Sequence, residues 1–366
     1  MRQNELVDFI QIKERVMDNL TVIGIDIAKN VMQIHGETAE GKVVLKKRVS
    51  RAKFLPFMVN KPKCLIGMEA CGGSHYWATE LTKLGFDVRL MSPQKVKKYA
   101  GHNKNDANDA EACAEAVSKK KMTFVPIKTA TQLEIQSVHR VRSYYVRQRT
   151  GLMNMIRGLL LELGIAIRKS ESALLKKLSI ISDADNNQLD EKNKMLFQGL
   201  YEDLKQSDKI IEKYTTQVKE LAREDGLCQR IQTIEGIGPI SSTALIAKIG
   251  NGSDFKKGRD LSAYLGLVPK QYSSGETQLL LGISKHGDRY IRQLLIHGGR
   301  SVVQAAKRKD KVSGLFCKQD AHSQWVRKLA DRIGTNKASV AVANKNARMV
   351  IALLKNNTVF EAKLAH

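Results

Sequence analysis

The stretch VIGIDIAKN, residues 22–30, decides the fold of the first part of the chain. It begins as an apolar run typical of a β-strand and reaches an acid, Asp26. A second apolar run, in CLIGMEACGG at residues 64–73, ends at Glu69. The short connections AKN and AEGK separate three strand-like runs, which favours antiparallel neighbours. Helical and strand-like patterns then alternate, as they do in βαβ units with a parallel sheet.

Three meandering strands followed by βαβαβ predict an α/β domain of the ribonuclease H-like, or RuvC-like, type. In that fold the first and fourth strands are neighbours, so Asp26 and Glu69 are expected side by side. Farther along, KNDANDAEA places Asp106 and Asp109 three residues apart on one face of a predicted helix. Each acid alone has the alternative of being a solvated surface group. Together they predict a hard-oxygen site for Mg²⁺ or Mn²⁺, because buried carboxylates need a partner and two such ions can clamp a phosphoryl displacement.

The charge of the chain indicates a polyanionic partner. There are 61 Lys and Arg against 37 Asp and Glu, a formal net charge of +24, which favours nucleic acid but carries no sequence specificity. No apolar run approaches the roughly 18 residues of a membrane span, and the amphipathic lead-in at residues 1–20 is too polar and acidic for a signal peptide. Five Cys without a CxxC motif predict free thiols in a reducing compartment.

Residues 129–226 form a helical, proline-free segment. The apolar spacing from Leu200 to Leu221 alternates four and three, which fits an antiparallel helical hairpin, an intermolecular coiled coil or two ordinary core helices. The link at 166–190, with SDADNNQ, is expected to be flexible. The first helical pattern also contains five arginines, for which phosphate contact and a merely solvated face are equally open: Arg140, Arg142, Arg147, Arg149 and Arg157.

A third region begins near Leu227. EGIGPISSTALIAKIG, residues 235–250, is typical of a helix-hairpin-helix, in which the amides around Gly236 and Gly238 can hold a phosphate. A plain turn between two helices fits the same pattern. Downstream, VPKQYSSGETQLLLGISKHGDR lies between two helical patterns and is rich in Gly, Ser and basic residues, which predicts a functional loop. The predicted nucleic-acid contacts across the chain are Arg140, Arg147, Gly236, Gly238, Lys270, Lys285 and Arg289.

Together these signatures resemble the transposases of the insertion-sequence 110 family, relatives of the Piv DNA invertases, over nearly the whole chain. GIDIAK, GMEACGGSHYW and KNDANDAEA are similar to the family's acidic DEDD tetrad in a RuvC-like domain. EGIGPISSTALIAKIG, AYLGLVPKQYSSG and SKHGDRYIRQLL resemble its C-terminal transposase domain. The resemblance assigns the catalytic and metal-binding tetrad to Asp26, Glu69, Asp106 and Asp109.

The same resemblance implies a nucleophilic serine that follows a tyrosine by two and precedes a glycine. This rule selects Ser274, and the adjacent Ser273 departs from the family pattern. It further implies that the protein cuts and rejoins DNA through a covalent phosphoserine, with Mg²⁺ or Mn²⁺ as cofactor. A structured non-coding RNA would bridge donor and target DNA, and subunits of a dimer or tetramer would share a composite active site. Such a protein is expected in the cytoplasm of a bacterial or archaeal cell, associated with the nucleoid.

The resulting interpretation has three parts: a RuvC-like catalytic domain at 1–128, a coiled-coil dimerisation segment at 129–226, and a helical transposase domain with the serine at 227–366. The main alternative is a RuvC-like Holliday-junction resolvase that uses water with two metal ions. GIDIAKN also resembles the phosphate loop of actin-like kinases, but Ala28 stands where their GxDxG motif has glycine. A non-enzymatic RNA- or DNA-binding protein would leave the acids unexplained.

Overall fold

The computed structural model forms two compact units, Met1–Lys128 and Thr129–His366. It describes residues 19–100, 105–181, 189–274, 277–309, 314 and 316–361, without the side chains of Ser274 and Thr277. Most of the predicted lead-in, the SDADNNQ segment and Gly275 therefore lie outside the described residues.

The first unit contains a six-stranded mixed sheet in the order β3-β2-β1-β4-β5-β6. Its strands are β1 Val22–Ile27, β2 Val31–Glu37, β3 Val43–Ser50, β4 Leu65–Glu69, β5 Asp87–Met91 and β6 Phe124–Val125. Its helices are α1 Arg51–Val59, α2 Ser74–Lys83, α3 Pro93–Val96 and α4 Asp106–Val117. β1 pairs antiparallel with β2 and parallel with β4, so the predicted adjacency of the first and fourth strands is observed.

The two faces of the sheet have separate cores. Ile23 and Ile25 of β1 pack into one core with Phe54 of α1 and Trp77 of α2. Val22 lies in the other core, which includes Ala112 and Cys113 of α4 among its members. Because side chains alternate along a strand, Asp26 shares the α4 face with Val22 and residue 24.

Two glycines let α4 lie directly on the strands. A Cβ at Gly24 would overlap the Ala110 carbonyl oxygen, and a Cβ at Gly67 would stand 2.5 Å from the Cys113 oxygen. A glycine inside a strand often marks such a close backbone approach. The absence of both side chains brings the first turn of α4 over the carboxyl ends of β1 and β4.

The second unit is mostly helical and contains one two-stranded sheet among its described elements. They are α5 Ala130–Glu162, α6 Glu171–Ile181, α7 Glu191–Glu224, α8 Gly226–Gln232, α9 Pro239–Ile249, α10 Gly258–Tyr264, β7 Pro269–Ser274, β8 Thr277–Ile283, α11 Arg289–Lys307, α12 Ala321–Ile333 and α13 Thr335–Asn356. The predicted succession of a mixed sheet and a mostly helical remainder is confirmed.

The long helices α5 and α7 pack against each other as an antiparallel pair within one chain. Arg149 pairs with Asp208, Tyr145 stacks on Tyr214, and the direction of these pairs runs oppositely along the two helices. Val218, which belongs to the apolar pattern from Leu200 to Leu221, is fully buried. Within one chain this pattern therefore serves the antiparallel helical hairpin, one of the three predicted alternatives.

The stretch expected to be a flexible link contains α6 instead. Leu174, Leu178 and Ile181 are buried and share one face of that helix by their spacing. They belong to one core with Ile156 of α5 and Phe197 of α7. The apolar residues of α6 follow a helical spacing of four and three residues. The polar residues beside them in the sequence had favoured a flexible link.

The predicted loop of the C-terminal region is also ordered differently, as the β7–β8 hairpin. The two strands pair antiparallel from Pro269–Ile283 to Ser274–Thr277. Its side chains are largely exposed: Tyr272 retains 69% of its accessible surface and Leu280 retains 66%. Gly and Ser suggested a loop, but the apolar positions of β8 satisfy strand propensity without being buried. Across the described ranges, no helix is both long and apolar enough to cross a bilayer.

Candidate active site

Three acids converge where α4 begins above the sheet. One carboxylate oxygen from each of Asp26, Asp106 and Asp109 lies within 4.8 Å of the other two. Asp26 is near the end of β1, and the other two stand in the first turn of α4, whose N-cap Asn105 accepts a hydrogen bond from the Ala107 amide at 3.1 Å. The positive end of the helix dipole favours acids at that position.

Glu69 lies outside this three-acid group but is electrostatically coupled to it. The parallel register pairs Ile25 with Met68, which puts Glu69 beside Asp26 at the next position, on the same face of the sheet. Burial raises the pKa of Glu69, and the negative charges of Asp26 and Asp109 raise it further. All four predicted acids are therefore neighbours in one region, with Glu69 at its edge.

Among the described residues, no protein cation compensates the charges of the cluster. Burial raises the pKa of Asp26, and so do Asp109 and Asp106, while a backbone hydrogen bond from Ile27 opposes the shift. Within the described parts of the chain, none of the four acids forms an ion pair with Lys, Arg or His. A cluster of this kind favours a bound cation over a free carboxylate set.

The geometry fits a divalent ion. Two oxygens on one ion stand at most about 4.2 Å apart for Mg²⁺ and about 5 Å apart for Ca²⁺. The three oxygens lie within 4.8 Å of one another, close to these limits, and carboxylates are the ligands that such ions prefer. All three donor side chains are carboxylates, which argues for a hard cation and against zinc.

His35 is a neighbour of this site that the sequence did not reveal. It pairs with Gly24 across β2 and β1 and is only 2% exposed. Its Nε2 lies 2.8 Å from a Glu37 carboxylate oxygen, and its Nδ1 lies 4.0 Å from Glu111 of α4. Nδ1 has no hydrogen-bond partner among the described residues. A single histidine in a strand gave no signal of this position under α4.

The predicted nucleophile occupies the last position of β7. Ser274 pairs in register with Thr277, and the turn residues between them lie outside the described part of the chain. The neighbouring Ser273 is exposed and its Oγ accepts a hydrogen bond from the Gln271 side chain at 3.0 Å.

The base of this hairpin is held by packing that sequence reasoning missed. The buried guanidinium of Arg292 donates to the carbonyls of Leu265 at 3.0 Å and His286 at 2.9 Å, one on each side of the hairpin. A Cβ at Gly266 would stand 2.5 Å from the His286 nitrogen, so the two ends of the hairpin touch through backbone. The only signal for Arg292 was its place in a generally basic stretch.

The three basic residues predicted around the hairpin are all exposed. Lys270 lies in β7, Lys285 follows β8 with a positive φ of 58°, and Arg289 begins α11. Asp288 caps the same helix by accepting from the amides of Tyr290 and Ile291. Exposed positive charges therefore lie near the hairpin base, next to both of its strands.

The GIG turn between α8 and α9 uses its two glycines differently. Gly236 has a φ of 86°, and a Cβ there would stand 2.7 Å from the Gly298 oxygen of α11, so this glycine is a packing residue. Gly238 is exposed, precedes Pro239 at the start of α9, and has open space around its Cβ position. The Glu235 carbonyl accepts a hydrogen bond from buried Asn346 at 2.8 Å, which fixes the turn.

The five arginines of α5 fall into two groups. Arg142 donates to Thr215 at 2.8 Å, Arg149 pairs with Asp208 and Glu171, and Arg157 donates to the Ser170 carbonyl at 3.2 Å. These contacts connect α5 with α7 and with the start of α6. The other two, Arg140 and Arg147, are exposed and have no ion pair among the described residues.

Comparison with known proteins identifies the chain at the family level. A transposase model of the IS110, DEDD type matches residues 23–165, and the transposase IS116/IS110/IS902 family model matches residues 228–313. A probable family 20 transposase of Pseudomonas aeruginosa is 43% identical over 343 residues, which is 93% of this chain and 99% of that protein. The transposase for insertion sequence element IS1111A of Coxiella burnetii is 38% identical over 360 residues, 98% of this chain and 96% of that protein.

A more distant match is the pilin gene-inverting protein of Moraxella bovis, 26% identical over 135 residues, which is 37% of this chain and 38% of that protein. The DEDD-type match and the acid cluster together suggest dependence on a divalent metal. The long matches to transposases make DNA the substrate. This chain belongs to the IS110 family of transposases, enzymes that recombine DNA.

Proposed function

We propose that the protein cuts and rejoins DNA with a metal-binding DEDD tetrad and a serine nucleophile. The observation that carries this proposal is the convergence of Asp26, Asp106 and Asp109 within 4.8 Å, with Glu69 beside them. The strand order with β1 next to β4 supports a RuvC-like assignment for the first unit, because strand-end acids and a helix-borne acidic pair meet at one sheet edge.

The tetrad would hold Mg²⁺ or Mn²⁺. A bound divalent ion supplies charge stabilisation at the phosphate and makes the attacking hydroxyl more acidic. The protein's own part is positional. Gly24 and Gly67 let α4 approach the sheet, so that two acids from the helix and two from strand ends face one volume.

Ser274 would attack the phosphorus of the scissile phosphodiester. Its Oγ–phosphorus bond forms while a phosphorus–oxygen bond of the strand breaks, the serine proton is lost, and the departing strand oxygen takes up a proton. The product is a phosphoserine ester that stores the bond energy for rejoining. A serine hydroxyl is a poor nucleophile at its ordinary pKa, which is why the tetrad and the serine are needed together.

Exposed basic residues would hold the DNA phosphates. Lys270, Lys285 and Arg289 surround the hairpin that contains Ser274, and Arg140 and Arg147 are exposed on α5 without an ion pair to any described residue. The amide of Gly238 at the open start of α9 is a further candidate for a phosphate contact. Gly236 would contribute through the shape of the turn.

The family resemblance extends the proposal to a bridging non-coding RNA and to a dimer or tetramer with a composite active site. We propose 1–128 as the catalytic domain, 129–226 as the segment for self-association and 227–366 as the transposase domain. Because the Leu200–Leu221 pattern is used inside the chain, self-association would use exposed apolar residues such as Met195 and Leu196 of α7. Work on chromosomal DNA would place the protein in the cytoplasm, at the nucleoid.

A covalent-trapping experiment tests the proposal. Wild type, Ser274→Ala, Ser273→Ala, the double variant and Asp26→Asn are incubated with labelled insertion-sequence ends, bridging RNA and Mg²⁺, and adducts are separated on denaturing gels. Ser274→Ala and Asp26→Asn should lose adducts and strand joining, whereas Ser273→Ala should retain both. DNA affinity should be nearly unchanged in Ser274→Ala, since one small hydroxyl is removed.

Two outcomes would overturn specific parts of this account. An inactive Ser273→Ala with an active Ser274→Ala would move the nucleophile by one residue. Cleavage by both single variants and by the double variant would make water the nucleophile, and the hydrolytic junction-resolvase alternative would then hold.

A further inference from the structure

The outer face of α5 combines an exposed aromatic ring with exposed positive charge. Tyr144 retains 50% of its accessible surface, although most of the apolar residues of the helical hairpin pack inward. Arg140 precedes it by four residues and Arg147 follows it by three, so the three side chains share one helix face. The two arginines are about 10 Å apart along the helix axis, with the ring between them.

Acidic residues are absent from this part of the helix. From Ile135 to Leu161 the sequence contains five arginines and no Asp or Glu. Three of those arginines are used inside the chain, by Thr215, by Asp208 and Glu171, and by the Ser170 carbonyl. The remaining positive charge is therefore concentrated on the face that presents Tyr144. An exposed helix face with unopposed charge is a surface for a polyanion.

The Tyr144 ring is supported from behind. It makes an edge contact with Tyr145 at 5.3 Å between centroids, and Tyr145 stacks on Tyr214 of α7 at 6.3 Å. Edge contacts of this kind restrict a ring while leaving its outer surface open. A positioned ring with a free face, between two cations, is the arrangement on which unpaired bases stack while adjacent phosphates meet arginines.

We propose that Arg140, Tyr144 and Arg147 form a binding site for an unpaired stretch of nucleic acid, with a base stacked on Tyr144. The phosphate contacts of the two arginines rest on the proposed function. The base-stacking role of Tyr144 goes beyond it. Bases in a duplex have their faces covered by neighbours, so this site selects single strands. Unpaired bases next to phosphates occur both in a displaced DNA strand and in an RNA loop.

The test measures binding of fluorescein-labelled oligonucleotides to the full chain by anisotropy. The probes are a 20-nucleotide single-stranded DNA, the RNA of the same sequence, and the corresponding DNA duplex. Tyr144→Ala should weaken at least one single-stranded probe by about 5- to 150-fold, the range expected for one stacked base. It should leave the duplex affinity and the salt slope unchanged, and Tyr144→Phe should bind like the wild type.

Tyr76→Ala is the matched control. Tyr76 is also 50% exposed and makes an edge contact with a neighbouring ring, Trp77, at 5.0 Å, but no arginine stands four before or three after it. It should bind all three probes normally. Arg140→Gln should weaken single strands and duplex alike and lower the single-strand salt slope by about 0.7.

The outcomes separate this inference from the proposed function. A selective loss on RNA assigns the site to RNA, and a selective loss on single-stranded DNA assigns it to a displaced strand. Normal single-strand binding by Tyr144→Ala, an equal loss on the duplex, or loss of self-association in light scattering with normal binding would each overturn the inference. Normal binding by Arg140→Gln and Arg147→Gln would instead refute the proposed phosphate contacts, and covalent trapping at Ser274 is independent of all these results.

Discussion

The acid cluster and the serine hairpin are built in opposite ways. Asp26 lies on β1, in which Ile23 and Ile25 are fully buried. The helix α4 covers this strand and approaches its backbone closely at Gly24. The hairpin with Ser274 is a two-stranded sheet with exposed side chains, held mainly at its base by Arg292. An isolated two-stranded hairpin is marginally stable in water. The acids are thus preorganised by their fold, whereas the hairpin has support mainly at its base.

The charges of the acid cluster and of the hairpin also affect stability differently. Bringing several like charges into a half-buried region costs folding free energy, which a bound cation offsets. The hairpin has exposed Lys270 and Lys285 near its base, whose charges remain solvated. We expect substitutions at the acid cluster to change both stability and activity, and substitutions on the hairpin surface to change stability little. The following predictions test that difference.

The largest expected effect is the loss of activity on neutralising one helix-borne acid. Asp109→Asn should lower strand cleavage by about 10²- to 10⁴-fold, because metal-based charge stabilisation supplies several kcal/mol. Its melting temperature without metal should rise, since like-charge repulsion is relieved. Cleavage assays and thermal melts with and without Mg²⁺ measure both quantities.

Asp87→Asn is the control for that substitution, because Asp87 is an exposed acid of the same unit that pairs with Arg89 at 2.9 Å. It should leave cleavage unchanged. If Asp109→Asn cleaved DNA at the wild-type rate, the assignment of Asp109 to the metal site would be wrong.

The second expected effect is on folding. Gly24→Ala introduces a Cβ that overlaps the Ala110 carbonyl, so α4 must move away from β1. Forced overpacking of this kind costs typically 1–3 kcal/mol, occasionally more. Urea unfolding should show this loss, and isothermal titration should show weaker Mg²⁺ binding, because the displaced helix contains Asp106 and Asp109.

Gly72→Ala and Gly282→Ala are matched controls, one in the first unit and one on the hairpin. Neither has any atom within 4 Å of the new Cβ. Both should change the free energy of unfolding by less than about 0.5 kcal/mol. Equal losses in all three variants would mean that the close helix–sheet contact has no special role.

A smaller effect concerns pH without metal. Burial and then the neighbouring acids Asp109 and Asp106 raise the pKa of Asp26 above its unfolded value near 3.8. A raised folded pKa contributes stability that is present below the unfolded pKa and is lost as the pH rises through the folded pKa. In metal-free buffer, Asp26→Asn should therefore gain stability relative to the wild type as the pH increases above about 4.

Urea unfolding of both proteins at several pH values measures this difference, and Mg²⁺ should reverse its sign at neutral pH. A difference that does not vary with pH would show that Asp26 is not destabilised by its neighbours. Asp87→Asn again provides the comparison for a solvated acid.

The smallest expected effect is on the hairpin surface. Leu280→Ser replaces a side chain that is 66% exposed and should change the free energy of unfolding by less than about 0.5 kcal/mol. Leu90→Ser, at a fully buried position of β5, should cost about 2–5 kcal/mol. Similar costs at both positions would contradict the view that the hairpin is supported mainly at its base.

The sequence alone predicted the mixed sheet, the adjacency of β1 and β4 and the position of the acids, but not the short sixth strand Phe124–Val125. Alternating and helical spacings are local patterns, and they place Asp26 and Glu69 at strand ends and Asp106 and Asp109 on one helix face. Glycine inside the apolar runs VIGID and LIGME was an available signal for a close helix contact. The start of α9 at Pro239 followed from local residue preferences in the same way.

Only the tertiary structure decided which partners these local elements meet. An apolar pattern such as Leu200–Leu221 states that one face is buried but not whether its partner is the same chain or another one. Five arginines on α5 look alike in sequence, yet Arg142, Arg149 and Arg157 bond to groups outside the helix, whereas Arg140 and Arg147 form no ion pair with any described residue. The positions of His35 beneath α4 and of Arg292 at the hairpin base could not be predicted from the sequence either. Periodicity records the surroundings of one element, whereas these contacts depend on how several elements pack together.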